Sequence, residues 1–491
     1  MIYHVTVLPD NRILEVPAGT NLLQALRVAG LAPDAPCGGQ GSCGKCRVVA
    51  DGREWLSCQT VVSRDMAVTL PRETEPQVLT QGMDTQLTGG QDGFLLCFDI
   101  GTTTIAGFLL DGRAGKELAR AGQTNPQKAW GADVISRVRA ALDGEMEALT
   151  QAIRDALAEM TRSLCDAAHI SPASVKVVSI VGNSAMQQLF LGISPENLAK
   201  IPFAAVITES DRVPAASYLP LCTNAQLLIV PDIAGFVGAD TVACVLATGM
   251  YREEAVTLLV DIGTNGELVL GNRDGMVCCA TAAGPALEGA AISCGMRAAT
   301  GAIDRVWMED GKLQYHVIGD VPAKGICGSG LIDAVAVLLI AGHLNKRGVL
   351  QNCSVRDGKR YFPLTDSISI TQEDVWQFML AKGAIAAGIR LLIRQQHLRF
   401  QDIDRVILAG AFGSHLNIGN ACKVGLFPPG LEDRIRSVGN AAGSGAKLLA
   451  TDPHALALCD RLVKEIRFTE LAKLPAFSGL FARSMGFEVD A

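Results

Sequence analysis

Two stretches of the chain repeat one pattern. "LLCFDIGTTTIAGFLL" covers residues 95–110 and "TLLVDIGTNGELVLGN" covers 257–272. Each is an apolar run, then Asp-Ile-Gly-Thr, then a second apolar run, which reads as strand–turn–strand. The carboxylates Asp99 and Asp261 stand at the end of the first strand in each copy. Gly101 and Gly263 let the backbone come close to a ligand, and Thr102, Thr103, Thr104, Thr264 and Asn265 offer hydroxyl, amide and backbone donors. Such a turn can hold phosphate oxygens while its carboxylate holds Mg²⁺ through water. Glu267, just beyond the second turn, is a further candidate for the metal or for water. One Asp-x-Gly-Thr is an ordinary hairpin turn. Two copies at domain-scale separation predict a duplicated α/β unit with a phosphate turn from each half.

Three glycine turns complete this picture. "DRVILAGAFGSHLN" (404–417) reads as a buried strand running into a glycine turn, then a helix. "SVGNAAGSGAKLLA" (437–450) repeats that logic, and "GICGSGLIDAVAVLL" (325–339) is another glycine turn entering a helix. Glycine turns at helix N-termini suit phosphate and adenosine. Gly328, Gly410, Ala411, Phe412, Gly413 and Ser414 are therefore candidate nucleotide contacts. His415 beside them is a lining residue or a satisfied structural histidine.

The N-terminus carries a different signal, "CGGQGSCGKC" at 37–46 with a fourth cysteine at 58. Residues 2–8 and 12–16 read as strands, "GTNLLQALRVAG" as a helix with Thr20 as N-cap and Gly30 at its end, and "CRVVA" and "MAVTL" as two more strands. So small a unit gains from a bound metal centre. The spacing Cys37-x5-Cys43-x2-Cys46-x11-Cys58 has only one Cys-x2-Cys knuckle, where a zinc ribbon uses two. Three cysteines in one loop with a distant fourth match a ferredoxin. Gly38, Gly39, Gly41 and Gly44 would supply the positive φ values and close approach that a [2Fe–2S] cluster requires. Residues 1–75 form this expected unit, 76–93 a polar linker rich in Pro, Gly and Thr, and 94–491 the duplicated unit, with halves near 94–254 and 255–450 followed by C-terminal helices.

The chain has 491 residues, 49% hydrophobic and 19% charged, with a net charge of −7 and no basic run, which argues against nucleic-acid binding. The start lacks the features of a signal peptide, and the apolar stretch "IAGFVGADTVACVLATGM" is interrupted by Asp240 and reads as a buried helix. These features predict a cytoplasmic protein without a membrane span. Fifteen cysteines in that setting should not form disulfides. Most of those other than these four read as small buried hydrophobes.

Residues 1–70 resemble a plant-type [2Fe–2S] ferredoxin domain of β-grasp fold, with a first gap of five residues rather than four and a last gap of only 11. Residues 94–450 resemble the acetate and sugar kinase/Hsp70/actin superfamily, in which two α/β subdomains close on ATP. The combination, with "VGNSAMQQLFLG", "PDIAGFVGADT", "TAAGPALEGA" and "AGAFGSHLN", resembles the reductive activators of corrinoid-dependent methyltransferases. That resemblance implies ATP-dependent return of a corrinoid protein from inactive Co(II) to Co(I), a low-potential electron donor and a homodimer. A phosphotransferase acting on a small substrate, an activator of a radical dehydratase, and a nucleotide sensor carrying a ferredoxin remain the alternatives.

Overall fold

The computed structural model describes every residue except Pro36, Ser42, 72–77, Cys222, Thr264, Ala290, 414–415 and 489–491; of Pro285 and Ala411 it describes the backbone alone. The N-terminal sheet has the strand order Arg12–Pro17, Ile2–Leu8, Met66–Thr69, Arg47–Ala50, Arg53–Leu56. Its first and last segments pair in parallel, Val5 opposite Met66, and the rest pair antiparallel. Helix Leu22–Val28 crosses one face and buries Leu22 and Leu26 against Val5, Val7, Val48 and Val68. Its N-cap is Asn21, not Thr20. The Asn21 carboxamide oxygen accepts from the Leu23 and Gln24 N–H groups, while its amide donates to the carbonyl of Cys58. Strand Arg53–Leu56 is mostly exposed and without apolar alternation, so sequence pattern did not reveal it.

Two six-stranded sheets follow, and they share one topology. In the first, Phe94–Ile100, Thr104–Asp111 and Lys116–Thr124 form an antiparallel meander, and Val175–Gly182 and Gln226–Ile229 extend it in parallel on the other side. In the second, Thr257–Ile262, Gly266–Asn272 and Gly275–Thr281 form the meander, with Arg405–Ala409 and Ile435–Gly439 in parallel beyond. The duplication read from Asp-Ile-Gly-Thr thus extends to five strands per half. The outer strands differ: Asp211–Pro214 ends the first sheet, and Ile466–Phe468 ends the second.

Strand alternation decides where the motif carboxylates point. In Phe94–Ile100, Leu95 and Cys97 join the core between the two halves, while Leu96, Phe98 and Ile100 join the outer core of the first half. Asp99 has the parity of Leu95 and Cys97. In Thr257–Ile262, Leu259 faces the shared core and Leu258, Val260 and Ile262 the other, so Asp261 again has the inward parity. Glu267 lies opposite Asp261 in the ladder and shares the parity of Val269, which is also in the shared core.

Helices Ala239–Thr248 and Ala441–Thr451 each follow the last parallel strand of one half and pack on one another in that shared core. The second packs on strand Phe94–Ile100 of the first sheet as well. Strand Ile466–Phe468 pairs in parallel with Gly275–Thr281 at the edge of the second sheet. Helix Gln372–Gln395 is long and apolar enough to cross a membrane by composition, but 72% of its apolar window is buried within the protein. No described cysteine forms a disulfide.

The segment 78–93 has neither helix nor strand, yet it is fastened to the duplicated unit. Asn440 N–H donates to the Gln81 carbonyl, Met83 N–H donates to Ser444 Oγ, and Gln91 donates to the carbonyls of Ala450 and Thr451. Over these residues the polar linker is laid along helix Ala441–Thr451.

Candidate nucleotide cleft and cysteine loop

The shared-core parity of Asp99, Asp261 and Glu267 brings all three to a cleft of about 250 Å³ between the halves. Gly101, Thr102, Thr103, Thr104, Gly263, Asn265, Gly328, Gly410 and Phe412 line it too. Gly413 lies off it, where a Cβ would meet the Leu408 side chain at 2.9 Å. Thr264, Ser414 and His415 fall outside the described residues, as does the side chain of Ala411.

The first turn is held from behind. Asn125 donates from its side chain to Gly101 O (2.8 Å) and from its backbone to Thr103 O (2.9 Å), and buried Arg137 donates to Thr102 O. The carbonyls of 101–103 are thereby drawn away from the cleft. Arg137 also places a cation behind the turn in a low-dielectric setting that favours an anion in front. Burial, then the nearby Arg297, pull its guanidinium below the ordinary pKa. The Asp99 carboxylate accepts from Asn440 Nδ2 (2.8 Å), and Asn440 caps helix Ala441–Thr451. The second carboxylate dictates its neighbour: Gly410 has φ +82°, and a Cβ there would sit 2.6 Å from Asp261 Oδ1.

Asp240, which opens helix Ala239–Thr248, also lines the cleft. Burial raises Asp99 to about 7, Asp240 to about 7 and Asp261 to about 6, with the neighbouring carboxylates adding for Asp99 and Asp240. Glu267 rises well above its usual range for the same reasons. Among the described residues no three such side chains close a metal cage unaided. The donors are hard oxygens, suited to a divalent cation whose remaining ligands are water and phosphate.

These shifts have a stability consequence. Each group binds its proton more tightly folded than unfolded, so its contribution is full below about pH 4 and is lost as pH rises through 6–7. Without cation or nucleotide, Asp240→Asn should therefore raise stability by roughly 2–4 kcal/mol at pH 8 and by almost nothing near pH 4, because the unfolded carboxylate gains its charge from pH 4 upward. Urea melts at the two pH values check this, and an equal effect at both would remove the burial argument.

In the cysteine loop, Gly38, Gly39, Gly41 and Gly44 all have positive φ (+67°, +96°, +78°, +63°), as a loop wrapped on a cluster requires. Cys46 is buried with Leu23 and Ala35, and Cys58 packs on that group. Cys43 interacts with Cys37, and Cys58 with Cys46. Burial and then the Cys46 thiol push Cys58 up to about 11. Arg27 donates to Gly38 O (3.0 Å), and burial pulls its guanidinium below the ordinary pKa while Glu145 and the nearby cysteines oppose the shift. Four thiols, a positive-φ loop and an adjacent cation fit an iron–sulfur cluster in kind. Among the described residues the remaining cysteines are mostly buried as expected, but Cys327 lines the cleft and Cys244 Sγ lies 3.8 Å from Asp261 Oδ2.

Three family profiles match in sequence: "2Fe-2S iron-sulfur cluster binding domain" over 5–69, "RACo middle region" over 94–253, and "C-terminal domain of RACo the ASKHA domain" over 255–490. The corrinoid activation enzyme RamQ of Eubacterium limosum is 36% identical over 406 residues, covering 78% of this chain and 68% of RamQ. The chain belongs to the corrinoid activation enzyme family. It is an ATP-using iron–sulfur enzyme. The [Co(II) methylated amine-specific corrinoid protein] reductase of Methanosarcina barkeri is 29% identical over 329 residues, 60% of this chain and 59% of that protein. A solved structure of a reductive activator for a corrinoid, iron–sulfur protein superposes with a TM-score of 0.73 at 29% identity, over 99% of this chain and 98% of its own.

Sequence reasoning missed Asp240, Asn440, Asn183, Glu288 and Arg297 in the cleft. Asp240 had a signal, a lone carboxylate in an otherwise apolar run. Asn183 and Asn440 each follow a strand ending in glycine and cap the next helix. Glu288 and Arg297 lie outside any repeated motif.

Proposed function

We propose that this corrinoid activation enzyme passes one electron from a [2Fe–2S] cluster on Cys37, Cys43, Cys46 and Cys58 to the Co(II) of a corrinoid protein, giving Co(I), and uses ATP to make the transfer favourable. The observation that carries this reading is the likeness to a reductive activator along 99% of the chain, cysteine loop and cleft together. The cluster supplies a one-electron carrier; the protein's part is to position it and to change the acceptor. A gap of about 59 mV in a one-electron couple is ~1.4 kcal/mol, so a few hundred millivolts lie within reach of an ATP-driven conformational step.

The division into 1–75, 76–93 and 94–491 is part of this reading. Asp99, Asp261 and Glu267 are assigned to Mg²⁺ and water. Gly101, Thr102, Thr103, Thr104, Gly263, Thr264 and Asn265 are assigned to the phosphates. Gly328, Gly410, Ala411, Phe412 and Ser414 are assigned to the nucleoside side, and Gly413, which lies off the cleft, to the packing of that turn. Asp240, at the cleft wall with Asp99, Asp261 and Glu267, is assigned with them to Mg²⁺ and water. The setting is cytoplasmic, the donor a low-potential carrier and the assembly a homodimer. The test is ATP turnover with and without a corrinoid protein held as Co(II). Stimulation of several-fold is expected; phosphorylation of a small substrate instead would identify a kinase.

A further inference from the structure

Asp34, three positions before Cys37, joins the cysteine loop to the wall of the cleft. One of its carboxylate oxygens lies 3.1 Å from Lys128 Nζ, and the other lies 4.0 Å from Arg297 Nη1. Arg297 lines the nucleotide cleft beside Glu288, which accepts from Thr103 Oγ1 of the first phosphate turn. Lys128 belongs to the short turn Pro126–Trp130, which follows Asn125 directly. That turn also presents Ala129 O to Arg27 Nε (2.8 Å) and the Trp130 ring to the Arg27 guanidinium (5.7 Å). Groups that shape the phosphate turn therefore also hold the iron–sulfur module.

We propose that Arg297 is shared between two anions, Asp34 when the cleft is empty and the terminal phosphate when nucleotide is bound, so that ATP loosens the iron–sulfur module from the cleft wall. This rests on reading the cleft as the ATP site. The existing pair is weak, because 4.0 Å is the outer limit of an ion pair and the Arg297 and Asp34 side chains are 25% and 41% exposed. A phosphate offers more charge and a shape that a guanidinium grips with two donors. The field of buried Arg137 adds to the attraction, since a phosphate placed before the turn neutralises both cations. Lys128 and Arg27 keep their own contacts to the module, so it is loosened rather than cast off. Electron delivery to a partner then becomes conditional on nucleotide.

Coupling is reciprocal: if phosphate weakens the Asp34 contact, removing Asp34 must strengthen phosphate binding by the same factor. The test uses the intact iron–sulfur protein and a non-hydrolysable ATP analogue, with calorimetry for affinity and amide hydrogen exchange for docking. In the parent, saturating analogue should speed exchange in 24–35 and 126–131. Asp34→Asn should bind the analogue about two- to five-fold tighter, show the faster exchange without nucleotide, and gain nothing further on adding it. Arg297→Ala should also exchange fast without nucleotide, but bind the analogue more weakly than the parent. Unchanged exchange in the parent at saturation, or parent affinity in Asp34→Asn, would overturn the coupling while leaving the ATP site standing. Failure of the parent to bind any analogue would overturn both.

Discussion

Asp261→Asn should lower ATP turnover by about 10²- to 10³-fold without weakening the fold, the size of loss typical when one preorganised electrostatic group at a reacting centre is removed. The substitution keeps the shape of the side chain, which matters because Gly410 is fitted against Asp261 Oδ1. It removes a charge whose burial already raises its pKa to about 6, so the folded state loses nothing in packing and sheds an unfavourable charge above that pH. Activity and stability should therefore move independently. Phosphate release and a thermal melt on one preparation separate them. Equal turnover in parent and variant would show that the second phosphate turn does not handle the phosphates. A large fall in melting temperature would show that the carboxylate acts in folding.

Cys46→Ser should abolish cobalt reduction and leave nucleotide binding in place. Cys46 is only 1% exposed, anchored between Leu23 and Ala35, and its carbonyl accepts from the N–H and the hydroxyl of Ser57. Serine there loses a thiolate ligand and buries a hydroxyl. The parent, purified without oxygen, should carry about two irons and two sulfides per chain, and the variant a small fraction of that. The nucleotide cleft has its own core and should bind ATP as before. Stoichiometric zinc in the parent, with no visible absorption, would contradict the cluster assignment.

Much of this site was legible from local pattern. The strands around Asp99 and Asp261 are apolar on both sides, and alternation places both carboxylates on the shared face. The glycines of the cysteine loop have the positive φ values that their spacing implied. What the pattern could not give depends on contacts distant in sequence. Asn440 reaches Asp99 across more than three hundred residues, because helix Ala441–Thr451 crosses to the first sheet. The segment 78–93 looks like free linker by composition, yet its backbone bonds to that helix. Its polarity reflects the partners it finds. Thr20 and Asn21 are both good caps, and Asn21 takes the place because its oxygen reaches the Leu23 and Gln24 N–H groups while its amide reaches Cys58 O. Arg297 sits in no motif. It lies between the cleft and Asp34, which are built from segments far apart in the chain.

In the proposed reaction one chain joins nucleotide to a low-potential electron. The most direct measurement is the visible spectrum of a cognate corrinoid protein, held as Co(II), when the intact enzyme, a reductant and Mg²⁺ are present and ATP is then added. The Co(I) spectrum should form on adding ATP. Cys46→Ser and Asp261→Asn should each fail, the first with nucleotide binding retained and the second with a reducible cluster. Cobalt reduced at the same rate and to the same extent without ATP would contradict this coupling.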